Sequence, residues 1–243
     1  SLQDIINDPE RRRKLVVYIN PPYAEAGETR QLSGTSKNKT NVAVTNKTYK
    51  KYLPVIGIAG REVFAQFFMR IYDEISTSVL AQFSTLKIEQ APNFRDFRQA
   101  FRAKLGRNFI VPANSFDNVK GQFPIGFFIW HTEEKVTFEH TTSDVFTKNG
   151  ESLGQKGIYS HDNSKGNIVS WIITFKDDVG AKIGYQHNPK NDFQHQSQVF
   201  FINKKEQLPT PRGWWITQNN LIPMCIFLSV RKVIEATWLN DRD

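Results

Sequence analysis

The chain is poor in the residues that build several common kinds of site. Its 243 residues include one cysteine, Cys225. A single thiol forms neither an intrachain disulfide nor a cysteine-cluster zinc site. Cys225 stands in an apolar run and is expected in the core. The five histidines, at 131, 140, 161, 187 and 195, include no helical pair four residues apart and no His-Glu-x-x-His pattern. No catalytic metal is expected. No apolar run reaches the roughly 18 to 20 residues that cross a bilayer. The first residues lack the charged-then-apolar pattern of a secretory leader. A cytoplasmic protein is the default expectation.

What is present is positive charge and aromatic bulk. The formal charge is +8, aromatics make up 13% of the residues and the broader hydrophobic set 39%. Such a length suits one large domain or two small ones. The basic excess fits a polyanionic partner.

The residues from Leu15 to Ile19 form a short apolar run rich in β-branched and aromatic types, which reads as a buried strand. It stops at Asn20-Pro21-Pro22-Tyr23. Proline cannot donate to a sheet ladder and fixes its own φ. Pro21 also biases Asn20 towards an extended conformation. A side-chain amide, backbone carbonyls and an aromatic ring are thus held at the carboxyl end of a strand, where open α/β sheets place ligands. An exocyclic amino group offers two N–H donors. The Asn20 side-chain oxygen and the Pro21 carbonyl can accept both, and the Tyr23 ring can stack on a flat heterocycle.

Before this strand, residues 11–14 are a basic cluster. After it, residues 24–52 are polar and lysine-rich, and are expected to be a long loop. Residues 58–75 carry an apolar stripe at helical spacing. A strand is expected over 79–88. A helix capped by Asn93 should follow, with Phe94, Phe97, Phe101 and Leu105 on one face and Gly106 at its end. Strands are expected over 107–116 and 122–130. The order strand, helix, strand, helix, strand, strand predicts the second half of a doubly wound α/β sheet closed by an antiparallel hairpin. From 136 to 195 the composition shifts to Thr, Asn, Gly, Asp and Lys, with short strands expected over 168–175, 181–185 and 199–202. An amphipathic helix is expected over 219–237. Two domains follow from this reading: 1–135, and a β-rich extension with a C-terminal helix over 136–243.

The Asn20-Pro21-Pro22-Tyr23 stretch resembles the catalytic motif of the S-adenosylmethionine-dependent N6-adenine DNA methyltransferases. That resemblance covers roughly residues 15–130. It implies a Rossmann-like methyltransferase sheet and a target adenine flipped out of double-stranded DNA. By it, Asn20, Pro21, Pro22 and Tyr23 orient the amino group, and Tyr23 stacks on the base. The segment Gln122-Phe123-Pro124-Ile125-Gly126-Phe127 resembles the one that supplies a second aromatic, so Phe123 would face Tyr23 across the adenine. Arg30, Lys37, Lys39, Lys47, Lys50 and Lys51 would contact phosphates. The setting would be a bacterial restriction–modification system, and 136–243 would relate to target recognition.

One expected part of that family is missing. Its members bind S-adenosylmethionine on a glycine-rich turn that follows a strand and opens a helix. Gly57-Ile58-Ala59-Gly60 has no suitable strand before it, and the stretch from Val179 to Gly184 reads as a hairpin. The chain is therefore expected to be the catalytic half of a longer methyltransferase, inactive alone, with its cofactor-binding portion elsewhere. An RNA-base or protein-glutamine methyltransferase, and a non-catalytic nucleic-acid-binding subunit, remain as alternatives.

Overall fold

The computed structural model describes residues 1–21, 46–117, 119, 121–160, 166–188, 198–202, 212–233, 235 and 237–240. The described chain forms two units, Ser1–His161 and Asp162–Asp243.

The first unit opens with two short helices, α1 (Leu2–Asn7) and α2 (Pro9–Arg12). Ser1 and Asp8 cap them, each accepting a backbone N–H that the first turn leaves without a helical partner. The basic cluster is engaged in holding this corner. Arg12 donates to Thr77 Oγ1 at 3.2 Å and to the Ile6 carbonyl at 2.9 Å. Arg13 pairs with Glu10 and Glu133, each at 3.0 Å.

Strand β1 (Val16–Ile19) follows, then α3 (Lys47–Ile56), a 3-10 turn (Gly57–Arg61) and α4 (Val63–Glu74). Next come β2 (Val79–Thr85), the short α5 (Lys87–Gln90), α6 (Arg95–Ala100), β3 (Ala103–Pro112) and β4 (Pro124–Lys135). A hairpin of β5 (His140–Phe146) and β6 (Ser152–Tyr159) completes the unit. The sheet order is β1-β2-β4-β3-β5-β6. β1 and β2 are parallel, while β4 is antiparallel to both β2 and β3. The α/β order is the expected one and β3–β4 is the expected antiparallel hairpin, but that hairpin does not close the sheet, because β5 and β6 lie beyond β3.

The two faces of the sheet differ. On one, Leu80, Ile110, Phe128 and Trp130 are buried. Phe101, just after α6, meets Trp130 edge-on at 5.3 Å, and Phe64 of α4 stacks on Phe94 at 5.6 Å. This is the main core. Gly126 is required there, because a Cβ would sit 2.2 Å from the Phe128 ring. The opposite face carries Tyr18, Phe83, Phe109 and Phe127, partly open to solvent.

Several expectations are corrected. Asn93 does not cap the helix that follows, but lies in a 3-10 turn (Pro92–Phe94), and that helix runs from Arg95 to Ala100 and not to Leu105. Leu105 and Gly106 instead belong to β3, whose pairing with β4 runs from Ala103↔Lys135 to Pro112↔Pro124. The division near 135 moves to 161, because β5 pairs in parallel with β3 and so extends the first sheet. The lysine-rich stretch is not all loop: Lys47, Lys50 and Lys51 stand on α3, capped by Asn46.

In the second unit, residues 168–175 are not a strand but begin helix α7 (Ile168–Ile173). A reciprocal cap decides it. The Asn167 side chain accepts from the Ser170 N–H at 2.8 Å, and the Ser170 hydroxyl accepts from the Asn167 N–H at 2.8 Å. A three-stranded sheet has the order β8 (Gln198–Phe200), β7 (Lys182–His187), β9 (Gly213–Thr217). Helix α8 (Leu221–Val233) packs Met224 and Phe227 against Ile172 and Ile216. Cys225 is exposed on the other side of α8, not buried as expected. Among the described residues, no helix is long and apolar enough to cross a membrane.

Candidate active site

The carboxyl edge of the first sheet holds three of the predicted residues that can be placed, Asn20, Pro21 and Phe123, while the three described lysines stand on α3. β1 ends at Ile19, opposite Gln82 of β2, so Asn20 and Pro21 emerge at the carboxyl end of a parallel strand. Asn20 is exposed and Pro21 buried. The antiparallel β4 starts at this same edge, since Thr85 lies opposite Ile125. Phe123 immediately precedes β4 and is half-buried. Its carbonyl accepts the Ala113 N–H at 2.8 Å, which ties it to the end of β3. Asn20 and Phe123 therefore lie beyond the same end of the sheet, two strands apart, with Asn20 level with Phe83 and Phe127 and Phe123 four residues further on, roughly 13 Å along the strand direction.

Pro22, Tyr23, Arg30, Lys37 and Lys39 lie outside the described residues. Lys47 and Lys50 are exposed on α3. Lys51 is committed elsewhere. It contacts Asp73 at 2.6 Å, and the Tyr52 hydroxyl donates to the same carboxylate at 3.1 Å. The hydrogen bond to Asp73 pushes the Lys51 ammonium up from its ordinary range, and Lys51 holds Asp73 below the usual carboxylate range. A lysine paired in this way is a poorer phosphate contact than its two neighbours.

Two features of the edge were not foreseen. The first is the aromatic face. Phe83 and Phe127 have ring centroids 4.8 Å apart, Phe109 lies 5.2 Å from Phe127, and Tyr18 lies 6.5 Å from Phe83. Phe116, just past β3, meets Phe83 edge-on at 5.1 Å and carries the cluster towards the carboxyl edge. The alternation of these positions along their strands was the available sign. The second is Gln82. It is fully buried beside Ile19, and among the described residues neither amide atom has a hydrogen-bond partner. Ser84 Oγ on the same face is likewise without one among them. Both residues stand out in the sequence as polar interruptions of an apolar strand.

The described residues do not form a cradle for S-adenosylmethionine. Gly57, at φ +55°, ends helix α3, and the 3-10 turn after it follows a helix where a cofactor loop would follow a strand. Gly180 precedes β7 and Gly184 lies within it, in a strand that runs on to His187. What the edge presents is the exposed side-chain amide of Asn20, the buried Pro21 beside it and the half-buried ring of Phe123. Among the described residues, no three metal-ligating side chains come together.

No protein-family model matches the chain, and no curated protein matches it. Two solved structures are distantly similar. One is the ATP-dependent Type ISP restriction-modification enzyme LlaBIII bound to DNA, at 10% identity and a TM-score of 0.36, covering 73% of this chain and 15% of that one. The other is the M protein of the Type I restriction enzyme EcoKI, at 12% identity and a TM-score of 0.33, covering 90% of this chain and 48% of that one. The chain thus spans less than half the length of either. Both scores are too low to transfer a site, an activity or a partner.

Proposed function

We propose that this chain supplies the acceptor side of an S-adenosylmethionine-dependent DNA methyltransferase acting on adenine N6, within a restriction–modification system. The observation that carries the reading is the sheet order. It sets Asn20 and Pro21 at the end of a parallel strand and Phe123 on the same edge. In this reading Asn20 and the Pro21 carbonyl accept the two N–H groups of the amino nitrogen, which leaves its lone pair directed outward. Pro22 rigidifies the turn, and Tyr23 and Phe123 stack on the base. Positioning of this kind supplies most of the rate when no strong base is needed. Arg30, Lys37, Lys39, Lys47 and Lys50 would meet DNA phosphates, whose contacts set affinity but not sequence. The methyl donor would be held by a separate cofactor-binding portion, because the residues described here do not cradle it.

The test is methyl transfer to duplex DNA by the longest native polypeptide that contains these residues. Asn20→Ala is expected to lower the rate by about 100-fold or more, the scale of a misplaced reacting group, with DNA affinity nearly unchanged. An unaltered rate would end the catalytic reading. That no cofactor cradle forms among the described residues supports one competing reading, a nucleic-acid-binding module without catalysis. That module would show no transfer in either form, and its DNA affinity would tolerate both Asn20→Ala and Tyr23→Ala.

A further inference from the structure

Between helix α8 and the second sheet lies a small apolar cavity with one amide in its wall. Its volume is about 180 Å³, and Gln186, Val199, Phe201, Ile216, Met224 and Leu228 line it. Gln186 belongs to β7, opposite Val199 of β8 and Trp214 of β9. Residues opposite one another in antiparallel strands share a face. Val199 and Trp214 pack against the core of Ile172, Ile216, Met224 and Phe227. The Gln186 side chain therefore lies on the α8 side of the sheet, whereas Tyr185 and His187 take the other side. It is fully buried, and among the described residues neither Nε2 nor Oε1 has a hydrogen-bond partner. A buried amide left unpaired keeps its full desolvation cost. A ligand that pairs with it removes that cost.

We propose that this cavity binds a pyrimidine ring held edge-on by Gln186, as a free nucleoside or as a base of a single strand. Three properties select that ligand. The first is room. An apolar cavity of about 150 Å³ takes up benzene, so this one admits a single ring with small substituents. A drug-sized molecule needs roughly 300 Å³ or more. The second is the polar demand. An amide offers an N–H and a carbonyl side by side. In thymine or uracil the ring N3–H would donate to Gln186 Oε1, and the adjacent carbonyl would accept from Nε2. A plain hydrocarbon ring would leave the amide unpaired, and buried hydrogen-bonding groups discriminate strongly against such ligands. The third is the rest of the wall. Its aliphatic side chains suit the thymine methyl group. Phe201 at the rim is 87% exposed, so its ring is free to stack on a base. The site lies within the second unit and does not rest on the role given to Asn20.

The experiment uses the full chain with carbon-13 in its methionine methyl groups. The chain has two methionines. Met224 lines the cavity, and Met69, on α4 of the first unit, is the internal control. Thymidine should shift the Met224 signal with a dissociation constant on the order of 0.1 to 1 mM and leave Met69 in place. Deoxyuridine should bind about fourfold more weakly, the value of one buried methyl group. N3-methylthymidine, which lacks the donor, should give no shift. Gln186→Leu nearly keeps the size and removes the amide. It should abolish the thymidine shift and raise the melting temperature, because a buried unpaired group is gone. A shift with an oligothymidylate strand assigns the ligand to a base in nucleic acid, and a shift with thymidine alone assigns it to the free nucleoside. No Met224 shift with either overturns the proposal. So does a shift that N3-methylthymidine reproduces or that Gln186→Leu leaves unchanged, because the amide would then play no part.

Discussion

Replacing Glu89 with glutamine should stabilise the first unit, and by an amount that grows with pH. Glu89 lies on α5 and is fully buried, and no other described residue hydrogen-bonds either carboxyl oxygen. Burial pushes its carboxyl up from 4.5 to about 8, against its own backbone N–H and the attraction of Arg98. Arg98 relieves this little, because it donates through Nη1 to the carbonyls of Ile88 and Ala91, at 2.9 and 3.0 Å. The folded protein therefore keeps a proton on Glu89 between about pH 4.5 and about pH 8, where the unfolded chain has lost it. The folded state binds more protons in that window, so stability falls as pH rises through it and levels off above about 8. At ~1.36 kcal/mol per pH unit, the linked loss is capped at about 5 kcal/mol. Relaxation and water entry bring the expected value to about 2 to 4 kcal/mol. Glutamine keeps the shape and cannot ionise. Denaturant unfolding from pH 5 to 9 is the assay. The stability of Glu89→Gln relative to the native chain should climb steadily to about pH 8 and then hold. A difference that does not vary with pH would refute the reasoning, since the carboxyl would then titrate alike in both states.

Two further changes test the packing and the second unit. Gly126→Ala would place a methyl 2.2 Å from the Phe128 ring. It should lower stability by about 1 to 3 kcal/mol, read from the urea midpoint. Asp177 accepts from the backbone N–H groups of Val179 and Gly180, from Thr217 Oγ1 and from Asn219 Nδ2. These donors, the Gly180 N–H foremost, hold its carboxyl well below the usual carboxylate range. The resulting stabilisation is present above the ordinary carboxylate pKa and is lost as pH falls below it. Asp177→Asn should therefore lower the melting temperature at pH 7, with the gap to the native chain narrowing as the buffer approaches pH 2.

The first sheet was legible because its strands are apolar runs and its helices carry stripes at helical spacing. The expectation that Phe123 stands near Asn20 came from the family resemblance, whereas the place of β4 between β2 and β3 shows only in the pairing. Three features were not legible, each for a physical reason. Ile168 to Ile173 is β-branched and reads as a strand, and only the reciprocal cap of Asn167 and Ser170 turns it into a helix. β5 and β6 are short and polar, with Gly154 and Gly157 inside β6, so nothing in their composition announces a parallel pairing with β3. Cys225 was misplaced because α8 is apolar nearly all round. Periodicity finds a stripe but cannot choose between two.

The same ambiguity hid the aromatic face at the candidate site. Phe83, Phe109 and Phe127 are the types that fill cores, and in sequence they are indistinguishable from Phe64, Phe97 and Phe128, which do. Only the pairing separates them. Phe127 lies opposite Phe83 and Phe109, whereas Phe128 lies opposite Gln82 and Asn108. The first set shares its face with Tyr18, and the second points under the helices. Asn20 continues the alternation of Val16 and Tyr18, so its amide emerges on the aromatic side. A planar acceptor held by Asn20 would thus be approached from the open aromatic face, while buried Gln82 and Ser84 back the edge from the helix-covered side.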